Sequence, residues 1–464
     1  MRARINPSDE GPTAMNPTAA SQLANSCPQM RSSAFSRRTL IKGAIAGAVA
    51  APLVGLADAS VSYAGQAGWT GDVLVVLSLR GGFDGLSAIV PWNDPAYYTL
   101  RPDIAVPAST LIKRSDDTMF GLHPAMAPLK DLYLGGQFGA VVAAGLPAPN
   151  RSHFDATDEV EEAIPGSPAR TGWLDRLLGL HALTPLSAVQ MGSSNMPTSY
   201  LGPEPAVGMN GLNSFKLAGT SNATDRANWA TALNSLHNRA TVPVQGAATA
   251  TLGALDIVAT AAVSASGLGY PANSSTANAL RDVARLIKNN AVLGLGVKVV
   301  TLDVGNWDMH VGLGTSDRGW MHDNLTDLAG SLAAFAADLG PLMSSTTLVT
   351  VSEFGRRVRQ NDSGGVDHGW GNQMLLLGGH ITPGVQGKWA GLDKLTDGDV
   401  SVTTDYRSVF ADILKNRLQT VNTDVALVFP PSAFNLPYSG SSVANGAVAF
   451  DPEVAIVPPF TTSG

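Results

Sequence analysis

Three short runs in the second half of the chain carry the side chains best suited to chemistry: Trp307-Asp308-Met309-His310, Ser352-Glu353-Phe354-Gly355-Arg356-Arg357 and Val366-Asp367-His368-Gly369. Carboxylates and imidazoles are common ligands of divalent cations. Asp308 and His310 are two apart in a loop and can approach one ion together; the alternative is a polar loop in which His310 caps a neighbour. His368 stands in Ser363-Gly364-Gly365-Val366-Asp367-His368-Gly369. Glycines there let backbone approach a ligand closely, and Asp367 can orient a neighbouring imidazole from behind. The same run also reads as a plain glycine-rich turn. Glu353 ends an apolar stretch, where a carboxylate must be paired or hydrogen-bonded. It is either a further ligand or base, or the partner of Arg356 or Arg357.

Two earlier runs add to this set. Arg80 and Asp84 flank the turn Arg80-Gly81-Gly82-Phe83-Asp84-Gly85. Backbone N–H groups at a following helix start favour an anion, and arginine offers a two-pronged donor for phosphate, sulfate or carboxylate. An Arg80–Asp84 pair that only shapes the turn is the plainer reading. Asn150-Arg151-Ser152-His153-Phe154-Asp155 opens a helix. Ser152 there is a candidate nucleophile, activated by His153 or by a metal. Ser152 with Asp155 three residues later also matches an N-cap arrangement. No G-x-S-x-G elbow, H-E-x-x-H pair or phosphate-binding P-loop occurs.

These runs need strands and turns to bring them together. Asp72 to Leu79 is almost wholly apolar, as expected of a strand buried on both faces. Further strands are expected over 138–144, 297–303, 346–351 and 374–377. Helices are expected over 124–134, started by proline and ended by Gly135-Gly136, and over 325–339, with an apolar stripe at helical spacing. Residues 218–290, rich in Ala, Ser, Asn and Thr, read as a helical insertion. Strands alternating with helices predict an α/β fold with a mostly parallel sheet sandwiched by helices. In such sheets ligands bind at the carboxyl ends of the strands, and the candidate runs follow strands.

The bulk properties narrow the partners. The 464 residues are 44% hydrophobic and 14% charged, with net charge −7, which argues against nucleic acid. The one cysteine, Cys27, precedes the expected mature chain, leaving no thiol for disulfides or metal. Ser36-Arg37-Arg38-Thr39-Leu40-Ile41-Lys42, a short apolar run to Leu56 and A-x-A sites at Ala57-Asp58-Ala59 or Ser62-Tyr63-Ala64 read as a twin-arginine export signal. That run is shorter than the ~20 residues needed to span a bilayer, so no stable membrane span is expected after cleavage. The expected organisation is a leader over 1–64, one α/β domain over 65–429 and a Pro/Ser/Gly-rich tail over 430–464. The expected location is periplasmic or extracellular, and the export machinery is the expected partner.

The chain resembles the domain-of-unknown-function family 1501, bacterial exported proteins that mostly carry twin-arginine signals. The resemblance runs from about Asp72 to Leu418. It is carried by Leu79-Arg80-Gly81-Gly82-Phe83-Asp84-Gly85-Leu86-Ser87, Gly121-Leu122-His123-Pro124, Arg151-Ser152-His153-Phe154-Asp155, Trp307-Asp308-Met309-His310, Ser352-Glu353-Phe354-Gly355-Arg356-Arg357, Asp367-His368-Gly369 and Thr403-Thr404-Asp405-Tyr406-Arg407. More distantly it is similar to the alkaline phosphatase and sulfatase superfamily, which implies an α/β/α fold with metal ligands on successive strand ends. By that resemblance, Asp308 or Asp303 and His310 are the aspartate and histidine of one metal site, and His368 is its last histidine. Where the superfamily has an aspartate after the first strand this chain has Arg80, unless Asp84 substitutes. Where it has adjacent Asp-His, this chain has Glu353-Phe354. Ser152 is the rough counterpart of the nucleophile.

The resulting expectation is an exported hydrolase of phosphate or sulfate esters that uses one divalent ion (Zn, Mn, Fe or Ca). Asp308, His310 and His368 hold the ion, with Asp84 or Asp303 as further candidates, and Asp367, His153 and Asp155 support them from behind. Arg80, with Arg356 or Arg357, neutralises an anionic small-molecule or polymer substrate, and Ser152, Glu353 or water acts on it. The alternative from another class is a catalytically degenerate binding or assembly protein of the cell envelope. Lyase or transferase chemistry on an extracytoplasmic polymer is a third.

Overall fold

The computed structural model describes residues 72–430, except 165–169, 218–221, 239–241, 264, 266 and 268. The leader expected over 1–64 and the tail lie outside the described residues, Pro430 apart. In chain order the main sheet contains β1 (Val73–Leu79), β2 (Phe138–Gly145), β3 (Ala188–Met191), β4 (Val207–Met209), β5 (Val299–Val304), β6 (Thr346–Val351), β7 (Asn372–Gly378), β8 (Gly384–Gln386) and β9 (Thr404–Asp405). Their spatial order is β8-β2-β7-β6-β1-β5-β3-β4, with β9 also paired to β2.

The apolar run that predicts β1 explains its central place. Val73, Val75, Leu77 and Leu79 enter the core on one face of the sheet, and Leu74 and Val76 enter the core on the other. Only a strand covered on both sides tolerates this pattern. One face packs α4 (Val242–Ala262), α5 (Ser275–Leu293) and α6 (Trp320–Leu339). The other packs α1 (His153–Glu162), α2 (Trp173–Leu178), α7 (Tyr406–Arg417) and α8 (Asn422–Val428). This is the helix-sandwiched α/β fold expected. A further helix, α3 (Ala223–His237), buries no side chain. Among the described residues, no helix is long and apolar enough to cross a membrane.

β1 runs parallel to β5 and β6, while β7 is antiparallel to both β6 and β2. That reversal decides where the site forms. Ala144 near the end of β2 pairs with Asn372 at the start of β7. The chain leaving β1, β2, β5 and β6 and the chain entering β7 therefore meet on one rim.

Two expectations needed correction. Residues 124–134 are not one helix: a 3₁₀ segment, Pro124–Leu129, precedes a short α-helix, Lys130–Leu134. Pro128 inside it lacks the N–H and crowds the preceding turn. Four strands (β3, β4, β8 and β9) were not expected. At two to four residues each they are too short to show a period of two.

His123, before Pro124, is 1% exposed, and its Nδ1 accepts the Ala125 N–H at 3.0 Å. Burial first, then the nearby His322, pulls its pKa from 6.5 down to about 4. Below about pH 6.5 the unfolded chain takes up this proton and the folded chain does not, so its contribution is complete above that pH and drains away down to about pH 4. His123→Asn keeps a capping acceptor without titrating. Urea titrations at stepped pH should show it losing about 3 kcal/mol less than the parent across that window.

Candidate metal centre

The site is built where the chain turns over that rim. After β5, Trp307 and Met309 are buried and point Asp308 and His310 the other way, to the exposed side. After β2, the chain reaches Ser152, whose Oγ caps α1 by accepting the Asp155 N–H at 3.4 Å, so the helix begins at His153. Before β7, the loop 361–369 delivers Asp367 and His368. After β1, Gly81 adopts φ +113°, open to glycine at little cost. A Cβ there would stand 2.7 Å from the Asp308 nitrogen, so the close approach of the two loops also requires glycine.

Three imidazoles meet there. His368 Nε2 lies 3.0 Å from His153 Nε2 and 2.9 Å from His310 Nε2. Asp308 Oδ1 lies 3.0 Å from His310 Nε2, 3.4 Å from His368 Nε2 and 3.6 Å from His153 Nε2. The opposite ring nitrogens all face acceptors. His153 Nδ1 is 2.7 Å from Glu353 Oε1, His310 Nδ1 is 2.9 Å from Asp367 Oδ1, and His368 Nδ1 is 3.0 Å from the Arg151 carbonyl oxygen. A carbonyl or carboxylate oxygen only accepts, so each Nδ1 is assigned the proton and donates. Each neutral ring then turns an Nε2 lone pair inward. The ligand atoms of His153, Asp308 and His368 all lie within 4.8 Å of one another, with His310 Nε2 beside the last two, and donors so grouped repel unless a cation lies among them. Imidazoles whose outer N–H is held by a carboxylate or carbonyl are the usual metal-ligand arrangement. The donor set therefore fits a divalent ion, and nitrogen-rich sites suit Zn or Fe better than Mn or Ca.

The charges agree. Burial opposes ionisation of Asp308, yet the hydrogen bond and charge of Arg356 hold its carboxyl below the usual range. The hydrogen bonds from His310 and then Asn361 hold Asp367 low. Burial first lowers the His368 pKa against the pull of the Arg151 carbonyl, which favours the neutral ring a metal needs. Phe354, where a histidine was expected by resemblance, flanks the cluster with its ring 4.7 Å from that of His153 and 4.8 Å from that of His368.

Of the residues singled out from sequence, Asp308, His310 and His368 converge and Asp367 stands behind His310. His153, expected behind the ligands, sits among them. Glu353 is not placed as a ligand: Oε1 accepts from Gly81 N at 2.9 Å and from His153, and Oε2 faces the Ser352 hydroxyl. Asp84 is drawn away into a buried pair, its two oxygens taking Arg101 N–H groups at 2.6 and 2.9 Å. Asp303 binds Arg80 Nε at 2.8 Å, and Glu161 takes the Arg80 Nη2 group. Arg80 is thus matched by two carboxylates rather than held open for an anion. Arg357 lies against Asp397 and Asp399. Asp155 is exposed, and its backbone N–H donates to the Ser152 cap.

Sequence reasoning passed over Asn361, whose Nδ2 donates to the His310 carbonyl at 2.9 Å and to Asp367 Oδ1 at 3.1 Å. It also passed over Asp399, which clamps the Arg151 side chain. Neither carries a spacing signal. The role of His153 was within reach, since it follows a strand end as His310 does.

Residues 123–431, which include all four converging side chains, match the family described as protein of unknown function, DUF1501. The chain belongs to that family. No curated protein matches this DUF1501 chain. Three solved structures are similar to it. One is the C-terminal periplasmic domain of EptC from Escherichia coli in complex with zinc (9% identity, 68% of this chain and 75% of that one, TM-score 0.30). Another is a Bacteroides thetaiotaomicron protein of a locus for glycosaminoglycan metabolism (10%, 84% and 78%, 0.35). The third is the PsFucS1 sulfatase of Pseudoalteromonas sp. (13%, 88% and 78%, 0.33). Likeness at these scores carries no argument here, and the site is read from its own atoms.

The placement of Asp84 is testable by separating folding from metal binding. Asp84→Ala strands the buried Arg101 charge and should cost about 3–5 kcal/mol in urea unfolding, with metal content per folded chain unchanged. Normal stability with loss of metal would return Asp84 to the ligand set.

Proposed function

We propose that this DUF1501 protein is an exported metal-dependent hydrolase of phosphate or sulfate esters, with one divalent ion held by His153, Asp308 and His368 and His310 beside them as a further ligand. The observation that carries the proposal is the meeting of the His153 and His368 ligand nitrogens with an Asp308 oxygen within 4.8 Å, His310 Nε2 lying beside the last two and each imidazole locked by an acceptor behind it. The chemistry such an ion supplies is Lewis-acid polarisation of an ester oxygen. The protein's own groups do the rest. Glu353, Asp367 and the Arg151 carbonyl fix the ring orientations. Arg356 keeps Asp308 ionised. The first turn of α1 adds backbone N–H groups and the positive end of a helix dipole on the anion's side. Ser152 brings a hydroxyl next to His153. In this reading Ser152 or water is the attacking group. Export by the twin-arginine route, through the leader at 1–64, completes the proposal, with the export machinery as partner and an anionic ester as substrate.

One observation favours a second reading, a cell-envelope binding or assembly protein that has lost catalysis. With Phe354 at a ligand position and Arg80 matched by Glu161 and Asp303, the donors suffice for one ion only.

Elemental analysis of the purified protein decides the metal question. We expect about one equivalent of Zn, Mn or Fe, or of Ca, per chain, loss of the ion in His153→Ala and His368→Ala, weaker binding in His310→Ala, and about 10–100-fold weaker binding in Asp367→Ala, which removes the group behind His310. Failure to bind any of these ions after equilibration would end the proposal. Bound metal with no turnover across aryl phosphates and sulfates would select the second reading.

A further inference from the structure

The charges around the cluster form a closed account. Asp308, Glu353 and Asp367 touch it with three negative charges, and Arg356 touches it with one positive charge. The imidazoles, donating from Nδ1 and facing the ion through Nε2, are neutral. A divalent ion therefore brings the centre to zero. The next layer adds no surplus. Arg80 is matched by Glu161 and Asp303. Arg151 and Arg357 face Asp397 and Asp399. On the same loops the exposed Arg359 is outnumbered by the exposed Asp155 and Asp362, and water and salt screen such charges. The centre is also open: the side chains of Asp308 and His310 are 49% and 40% exposed.

We infer that the centre selects singly charged esters, sulfate monoesters or phosphodiesters, against dianionic phosphate monoesters, because its side chains leave no positive charge beyond that of the bound ion. The inference rests on the ester-hydrolase reading above and sharpens it. A single negative charge is met by the polarising ion and the first turn of α1. A second one faces Asp308, Asp303 and Glu161, and among the described residues of these loops the one cation without a carboxylate partner, Arg359, is exposed and screened by solvent. Glu161 and Asp303 thereby become specificity-determining residues. They touch neither the ion nor the ester, and they act by cancelling Arg80, which precedes the turn packed on Asp308. Glu161 lies eight residues beyond His153 on α1, about 12 Å along the helix, within range of a partly buried charge.

The test is calorimetric binding at pH 8 to the full metal-loaded protein, with methyl sulfate and dimethyl phosphate as singly charged probes and methyl phosphate as the dianion. Aryl esters of the same three types are assayed in parallel. Both singly charged probes should bind about tenfold or more tightly than methyl phosphate, the size of one unmatched charge at this range. Glu161→Gln and Asp303→Asn should each narrow that ratio several-fold while metal content stays at the parent level. Sulfate and phosphodiester arms that differ from each other identify the natural linkage. Equal binding, a preference for methyl phosphate, or no binding of either singly charged probe would overturn the inference. The predicted binding order with no turnover of any aryl ester would instead remove the hydrolase reading and leave the charge selection in place.

Discussion

Arg356 ties the site together. Its side chain is fully buried, and its donors leave in three directions. Nε reaches the Gly82 carbonyl at 2.6 Å, Nη1 reaches the Val366 carbonyl at 3.0 Å, and Nη2 reaches the carbonyls of Gly81 and Trp307 and Asp308 Oδ1 at 2.6 Å. These acceptors belong to the loops after β1, after β5 and before β7. A buried guanidinium is costly unless its donors are met, and only this arrangement of the three loops meets them. The planar fork matters: a lysine ammonium is a point charge with three donors and cannot bridge these directions. The turn glycines follow from the same constraint, since the backbone must come close enough for its carbonyls to be reached.

The sheet topology gives Arg356 loops to join. A wholly parallel sheet would send the chain before β7 to the opposite rim. The single antiparallel strand brings loop 361–369 to the side where β1, β2, β5 and β6 end, and so brings His368 to His153 and His310. Orientation is then finished locally. Asn361 holds Asp367, Asp399 holds Arg151, and Gly81 N holds Glu353, so each group behind an imidazole is itself held.

Much of this was legible in the sequence, for physical reasons. Doubly buried strands leave long apolar runs, so β1 and β6 could be read nearly to the residue. Asp308, His310 and His368 stood out because imidazole and carboxylate after a strand have few structural uses. What could not be read was pairing at a distance. Asp84 and Asp303 look as ligand-like as Asp308 until Arg101 and Arg80 are seen to occupy them. Glu353 has a ligand's address but is buried and held behind His153, 200 positions earlier. The very short strands left no periodic trace, and the 3₁₀ segment at Pro124–Leu129 follows from Pro128, which interrupts the helix that the flanking Pro124 and Gly135-Gly136 suggest.

His153 and His368 are 215 positions apart in the chain yet share one point in space. An opened chain therefore offers an ion only scattered donors, apart from the neighbouring pair Asp308 and His310. Affinity for the ion is then a property of the folded state almost alone, and occupancy draws the population toward that state by mass action. Because Asp308 and His310 stay exposed in the folded state, a chelator reaches the ion without the molecule opening, so the fold sets how tightly the ion is held and not how fast it is exchanged.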